Sequence, residues 1–104
     1  MKQIRVGLIG FGDWAKTAYV PILKSMKEVD IVSVCARSDA TQAAARDIIG
    51  DEFQWYTNYE DLLADEHVDA VMIGLPFATT ASAAVATLKA NKHVFIEHRK
   101  PPAP

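Results

Sequence analysis

The sequence carries a single cysteine, Cys35, and no apolar run approaching the ~18 residues that a membrane-spanning helix needs. One thiol closes no internal disulfide, so packing must hold the fold, and a reducing cytoplasm is the expected compartment. Cys35 lies in the apolar stretch IVSVC, where a buried, inert thiol is expected rather than a nucleophile. The three histidines, His67, His93 and His98, lack the spacing of metal ligands, so no metal site is expected. Neither sign of charge dominates. With 11 Lys and Arg against 13 Asp and Glu, the formal net charge is −2, which gives no basic field for nucleic acid. MKQIRVGLIGFG enters a strand at once, and no small-residue cleavage site follows a separate apolar segment, so a secretory leader is not expected. Internal repeats and low-complexity segments are missing too. Only RKPPAP, at the end, looks linker-like, because its prolines favour an extended chain.

What is present is half apolar and 23% charged over 104 residues, the make-up of one small globular domain with its own core. Short apolar runs alternate with helix-length periodic segments. IRVGLI (Ile4 to Ile9), IVSVC (Ile31 to Cys35), FQWY (Phe53 to Tyr56), AVMIGL (Ala70 to Leu75) and HVFI (His93 to Ile96) read as strands buried on both faces. The first helix is predicted from about Asp13, with Ala15, Ala18, Tyr19, Ile22, Leu23 and Met26 on one stripe and a break or restart at Pro21. The second has Asp39 as N-cap with Gln42 three residues on, runs to about Ile49, and stops at Gly50. Asn58 caps a short third helix holding Leu62 and Leu63. The fourth is expected to bury Ala81, Ala84, Val85 and Leu88 and to end near Asn91.

Strand, helix, strand, helix in unbroken alternation implies parallel pairing with right-handed crossovers. The predicted fold is α/β, a Rossmann-type doubly wound parallel sheet of about five strands in order 3-2-1-4-5, with helices on both faces. Ligands of such sheets bind at the carboxyl ends of the strands, where the order reverses. Here that place lies between the first and fourth strands. The loops that matter are then Gly10 to Trp14, Ala36 to Asp39, Leu75 to Thr79 and Glu97 to Lys100.

Gly10, Gly12 and Ala15 form a G-x-G-x-x-A pattern between the first strand and the first helix. Gly10 permits a tight turn, Gly12 lets backbone approach a pyrophosphate, and Ala15 lets helix pack closely on strand. The helix N-terminus adds free N–H groups and a partial positive charge. A turn that binds nothing and S-adenosylmethionine binding are the rival readings, but the spacing to the following helix suits a dinucleotide better. After the second strand, VCARSDA places Arg37 and Ser38 where an NAD-binding domain usually has a carboxylate for the ribose 2′-hydroxyl. A guanidinium beside a hydroxyl attracts a 2′-phosphate, so NADP is favoured, with NAD as the alternative. Asp39 is a rival ribose ligand that helix capping would occupy, and the lesser alternative for Arg37 is a solvated surface cation.

With IRVGLIGFGDWA, YTNYEDLLADEHVDAVMIGLP and KHVFIE, the chain resembles the N-terminal domain of the Gfo/Idh/MocA family, whose members include glucose–fructose oxidoreductase and inositol dehydrogenase. The resemblance covers essentially the whole chain, and the middle segment is its most specific part. It implies hydride transfer between NAD(P) and a sugar or cyclic polyol, with a second, larger domain supplying the substrate pocket and oligomer interface. It implies cofactor contacts from the turn Gly10, Phe11, Gly12, Asp13 and Trp14, from Leu75 and Pro76 beside the nicotinamide ribose, and from Glu97 near that ribose. Arg37 and Ser38 complete the expected cofactor set.

The departures from the family pattern are specific. PFATT keeps Pro76 but puts Phe77 second and Thr80 where a His would fall, and Ala18 stands where the first helix often has a His. The family's Glu-Lys-Pro becomes EHRKP. Either His98 and Arg99 are inserted before Lys100 and Pro101, or His98 replaces the lysine that positions and polarises the reacting oxygen. Lys100 is the candidate catalytic residue, against a solvated basic tail. Trp14 either borders the nicotinamide or packs, and YEDLLADE reads as a solvated helix face rather than a carboxylate pair. The expected division is a nucleotide-binding domain over residues 1–97 and a Pro-rich tail over 98–104, without the family's substrate domain. Such a chain would bind a dinucleotide weakly and turn over almost nothing. The other readings are a stand-alone nucleotide-binding or interaction module, and an orphan fragment without a function of its own. Sugar or polyol substrate is expected only where a second domain is present, no nucleic-acid or membrane partner is expected, and self-association stays open.

Overall fold

The computed structural model describes residues 3–12, 20–75 and 77–96, with backbone alone at 77 and 78. Its strands are β1 (Ile4–Ile9), β2 (Val29–Cys35), β3 (Gln54–Tyr56), β4 (Ala70–Ile73) and β5 (His93–Ile96). The helices are α1, described over Val20–Ser25, α2 (Asp39–Ile49), α3 (Tyr59–Leu63) and α4 (Phe77–Lys89). The start of the first helix near Asp13, and with it Ala15, Ala18 and Tyr19, lies outside the described residues. Every strand pair is parallel and the order is β3-β2-β1-β4-β5, the doubly wound order expected. β2 begins at Val29 rather than Ile31, and β4 ends at Ile73 rather than Leu75.

Successive strand residues point to opposite faces, so two cores form. On one face Val6, Leu8, Ile31 and Val34 pack against Val20 and Leu23 of α1 and Ala45 of α2. On the other, Ile9, Cys35, Val71 and Ile73 pack against Leu62 and Leu63 of α3 and Ala83 of α4. Burial on both faces explains why β1, β2 and β4 read as near-continuous apolar runs, whereas the edge strands β3 and β5 are half-buried or exposed rather than buried on both faces. At the amino ends, Asp69 accepts from the Arg5 backbone N–H at 2.9 Å and from its guanidinium at 3.0 and 3.1 Å, which pins β1 to the start of β4.

One helix turns a different face inward from the one expected. α4 buries Ala83 and Thr87, while Ala81 is exposed, Ala84 is only half-buried, and Val85 and Leu88 stand 52% and 61% exposed. Small side chains let the helix sit close on the sheet, and Thr87 hides its polarity by donating to Ala83 O at 2.8 Å. On α1, Leu23 of the expected stripe is buried, with Val20, while Ile22 is 60% exposed and Met26, just past the helix end, is 43% exposed. With the exposed Phe95 and Ile96 on β5, the α4–β5 side of the molecule presents large apolar side chains to solvent.

Ser33 is fully buried on β2, opposite Gly7 of β1, beside a register shift between Val6 and Gly7. Its hydroxyl has no hydrogen-bond partner among the described residues. A buried, unpaired hydroxyl costs ~1–3 kcal/mol. Ser33→Ala is therefore expected to raise stability by about 1 kcal/mol, read as a higher urea midpoint at unchanged slope. A lower midpoint would show that the hydroxyl is satisfied.

Candidate functional site

The strand order reverses between β1 and β4, and the chain beyond each strand is held in place there. Gly10 donates its N–H to Cys35 O at 2.8 Å, and Gly74 donates to Ile9 O at 2.8 Å. Gly10 adopts φ 92°, which disfavours a side chain. A Cβ on it would lie 2.6 Å from Gly74 O and 3.1 Å from Leu75 Cδ2, so the turn and the segment after β4 touch at this point. Gly12 differs. Its φ is not left-handed, and among the described residues nothing lies within 4 Å of the position a Cβ would take. None of the described residues demands glycine at position 12, and none of them fills the space beside it. Phe11 between them is 3% exposed, with its ring in the α1–α2 core, so only its backbone can face a ligand. Asp13, Trp14, Pro76, Glu97, His98, Arg99, Lys100 and Pro101 lie outside the described residues.

At the end of β2, Ala36 N–H donates to Tyr56 O at 3.0 Å, and Arg37 and Ser38 follow, both exposed. The N-cap of α2 is Ser38, not Asp39. Ser38 has extended backbone (φ −104°, ψ 147°), its Oγ accepts from Thr41 N at 3.1 Å, and its carbonyl accepts from Gln42 N at 3.1 Å. Asp39 becomes the first helical residue, where its charge favours the helix dipole but its side chain closes no cap. The Ser38 and Thr41 hydroxyls lie 2.7 Å apart. One hydroxyl hydrogen is spent on that contact, which leaves the other to donate outward. Cys35 is buried beneath. Burial pushes its thiol up to about 11, with Arg37 opposing and Asp61 adding to the shift, so it is not a thiolate at neutral pH.

On the β4 side, Thr80 in the first turns of α4 donates its hydroxyl to Leu75 O at 3.1 Å. Sequence reasoning treated Thr80 only as a missing histidine and did not find this bond. It also read Asp65 as part of a solvated face. Burial pushes the Asp65 carboxyl up, but hydrogen bonds from the His67 N–H (2.9 Å), the Tyr56 hydroxyl (2.8 Å) and the His67 ring outweigh it and hold the carboxyl below its usual range. Asp65 thus latches β3 to the turn before β4, away from the crevice. The D-x-H spacing of an Asx turn was the available signal.

A family model described as an oxidoreductase family with an NAD-binding Rossmann fold, Gfo/Idh/MocA, matches residues 4–103. Over 94 residues the chain is 32% identical to inositol 2-dehydrogenase of Salmonella typhimurium, covering 90% of this chain and 28% of the relative. It is similar in structure to KijD10, a 3-ketoreductase from Actinomadura kijaniata crystallised with NADP and TDP-benzene, with TM-score 0.83 and 28% identity over 91% of this chain and 29% of that one. Apo scyllo-inositol dehydrogenase from Lactobacillus casei gives TM-score 0.84 at 25% identity, over 93% of this chain and 29% of that one. The chain thus spans less than a third of the length of these relatives. No helix among the described residues is long and apolar enough to cross a membrane. A glycine turn at the reversal point of a 3-2-1-4-5 sheet and a family match over nearly the whole chain agree: this chain belongs to the Gfo/Idh/MocA oxidoreductase family, as its NAD-binding Rossmann domain.

Proposed function

We propose that the crevice between β1 and β4 binds NADP in preference to NAD, and that this domain is the cofactor half of an oxidoreductase acting on a sugar or polyol. The observation that carries the reading is Gly12. No backbone strain and no described neighbour requires glycine there, so the missing side chain serves a ligand that lies against the turn. The described part of the turn fits that group, since glycine at positions 10 and 12 keeps side chains off it and lets a pyrophosphate approach the backbone. In this arrangement Gly10, Phe11 through its backbone, Gly12, Asp13 and Trp14 hold the pyrophosphate. Leu75, Pro76 and Glu97 border the nicotinamide ribose. When bound, the nicotinamide supplies the hydride acceptor or donor, and the chain's own part is to bind it, orient it and exclude water on one side. Lys100 is the residue proposed to position and polarise the reacting oxygen.

Arg37, with the Ser38–Thr41 hydroxyl pair beside it, is the proposed 2′-phosphate site. The crystal form of KijD10 with NADP supports the same cofactor choice. Asp39 is not closing a cap, so it is the competing ribose ligand if NAD is preferred. Titration of NADPH and NADH against the wild type and Arg37→Ala separates the two. Hydrogen bonds to a charged group contribute ~1.5–3 kcal/mol, so Arg37→Ala is expected to weaken NADPH roughly 10- to 100-fold and leave NADH unchanged. NADH binding as tightly as NADPH to the wild type would overturn the NADP preference.

The exposed Val85, Leu88, Phe95 and Ile96 favour a domain that works against further protein over a self-contained binding module. Hydride transfer needs a desolvated gap with two walls, and residues 1–97 form one of them. The proposed division is therefore a nucleotide-binding domain over 1–97 and a tail over 98–104, with substrate held by a second domain. The lone, buried Cys35 supports a reducing, cytoplasmic setting.

A further inference from the structure

The segment after β4 has a fixed conformation at the crevice, and its fastening lies in α4. Gly74 is tied to β1 through Ile9 O, and Gly74 O and the Leu75 side chain abut Gly10. The next carbonyl, that of Leu75, accepts from the Thr80 hydroxyl at 3.1 Å, five residues ahead. Thr80 is half-buried, so this bond is partly sheltered from water. Leu75 precedes a proline, whose ring disfavours helical backbone at Leu75, so Leu75 itself stays outside α4. The bond directs the Leu75 carbonyl toward the first turns of α4.

In a doubly wound sheet the adenine half of a dinucleotide lies on the β2 side of the glycine turn, where Arg37 and Ser38 stand. The other half must then cross to the β4 side, onto the Gly74–Leu75 segment. We infer that Thr80 is a positioning residue for the nicotinamide half of the cofactor, acting through the Leu75 carbonyl and touching no ligand itself. This rests on the reading above that the crevice takes a dinucleotide.

Thr80→Val keeps the shape and removes the donor, and Thr80→Ser keeps the donor. Calorimetric titration of the full chain with NADPH and with ADP tests the inference, because ADP engages the glycine turn but carries no nicotinamide. Thr80→Val is expected to weaken NADPH roughly three- to tenfold, the size of one lost hydrogen bond, with ADP unchanged, and Thr80→Ser to bind both as the wild type does. Wild-type NADPH affinity in Thr80→Val, or equal losses for ADP and NADPH, would overturn the inference while the cofactor reading stands. A wild type that binds neither ligand would overturn the cofactor reading and the inference with it.

Discussion

Gly10→Ala is expected to destabilise the domain by about 3 kcal/mol. Two independent terms add. A side chain at φ 92° costs ~1–2 kcal/mol in backbone strain. The new methyl would also sit 2.6 Å from Gly74 O, a backbone atom that cannot rotate aside as a flexible side chain would. Neither strand end is free to yield. Gly10 N–H is bonded to Cys35 O, and Gly74 N–H to Ile9 O, so moving either segment breaks a ladder bond of the central strands. Domains of this size have total stabilities of ~5–15 kcal/mol and lose ~4–8 °C of melting temperature per kcal/mol. A thermal melt of Gly10→Ala should therefore fall by roughly 10–25 °C. A drop of only ~2 °C would mean that the two segments do not meet rigidly at this point. Because the crevice is built from both segments, dinucleotide affinity should fall along with stability.

The parts of the fold that the sequence made legible are those where one chemical demand dominates. Strand segments buried on both faces must be apolar, so residues 6–9 of β1 and Ala70–Ile73 stand out from helices that need one stripe only. Their alternation with helices then leaves few topologies, and the observed order is the one that right-handed crossovers favour. Gly10 is legible because very few residues tolerate its conformation.

Where two residues satisfy the same demand, the pattern misleads. Ser38 and Asp39 are both good caps, and each has a partner three residues on, in Thr41 and Gln42. The extended backbone of Ser38 decides between them. On α4 the bulky Val85 and Leu88 dominate a periodicity argument, yet the contact with the sheet selects Ala83 and Thr87. Size draws attention to the stripe that other protein can cover, and closeness of approach decides the stripe that the domain itself buries. Thr80 escaped for a related reason. Its hydroxyl acts on a carbonyl that no sequence pattern distinguishes from its neighbours.

Gly12→Val should separate folding from binding, in contrast to Gly10→Ala. Gly12 lies outside the left-handed region, and among the described residues no atom lies within 4 Å of its would-be Cβ. A side chain there meets no backbone penalty from φ and no described clash. Replacing glycine also restricts the unfolded chain, a contribution of ~0.4–1 kcal/mol in favour of the folded state. The melting temperature of Gly12→Val should therefore stay within about 5 °C of the wild type. Binding should behave otherwise. Phosphate oxygens must come within ~3 Å of backbone N–H groups to form hydrogen bonds, and a branched side chain on the turn fills that approach. Losing two charge-assisted bonds at ~1.5–3 kcal/mol each predicts an NADPH affinity at least roughly 100-fold weaker. ADP should lose as much as NADPH, because both place a diphosphate at the turn, and this pattern differs from the one expected of Thr80→Val. A Gly12→Val protein that binds NADPH like the wild type would remove the observation on which the cofactor site rests. One that melts as early as Gly10→Ala would show that glycine at position 12 serves the fold rather than the ligand.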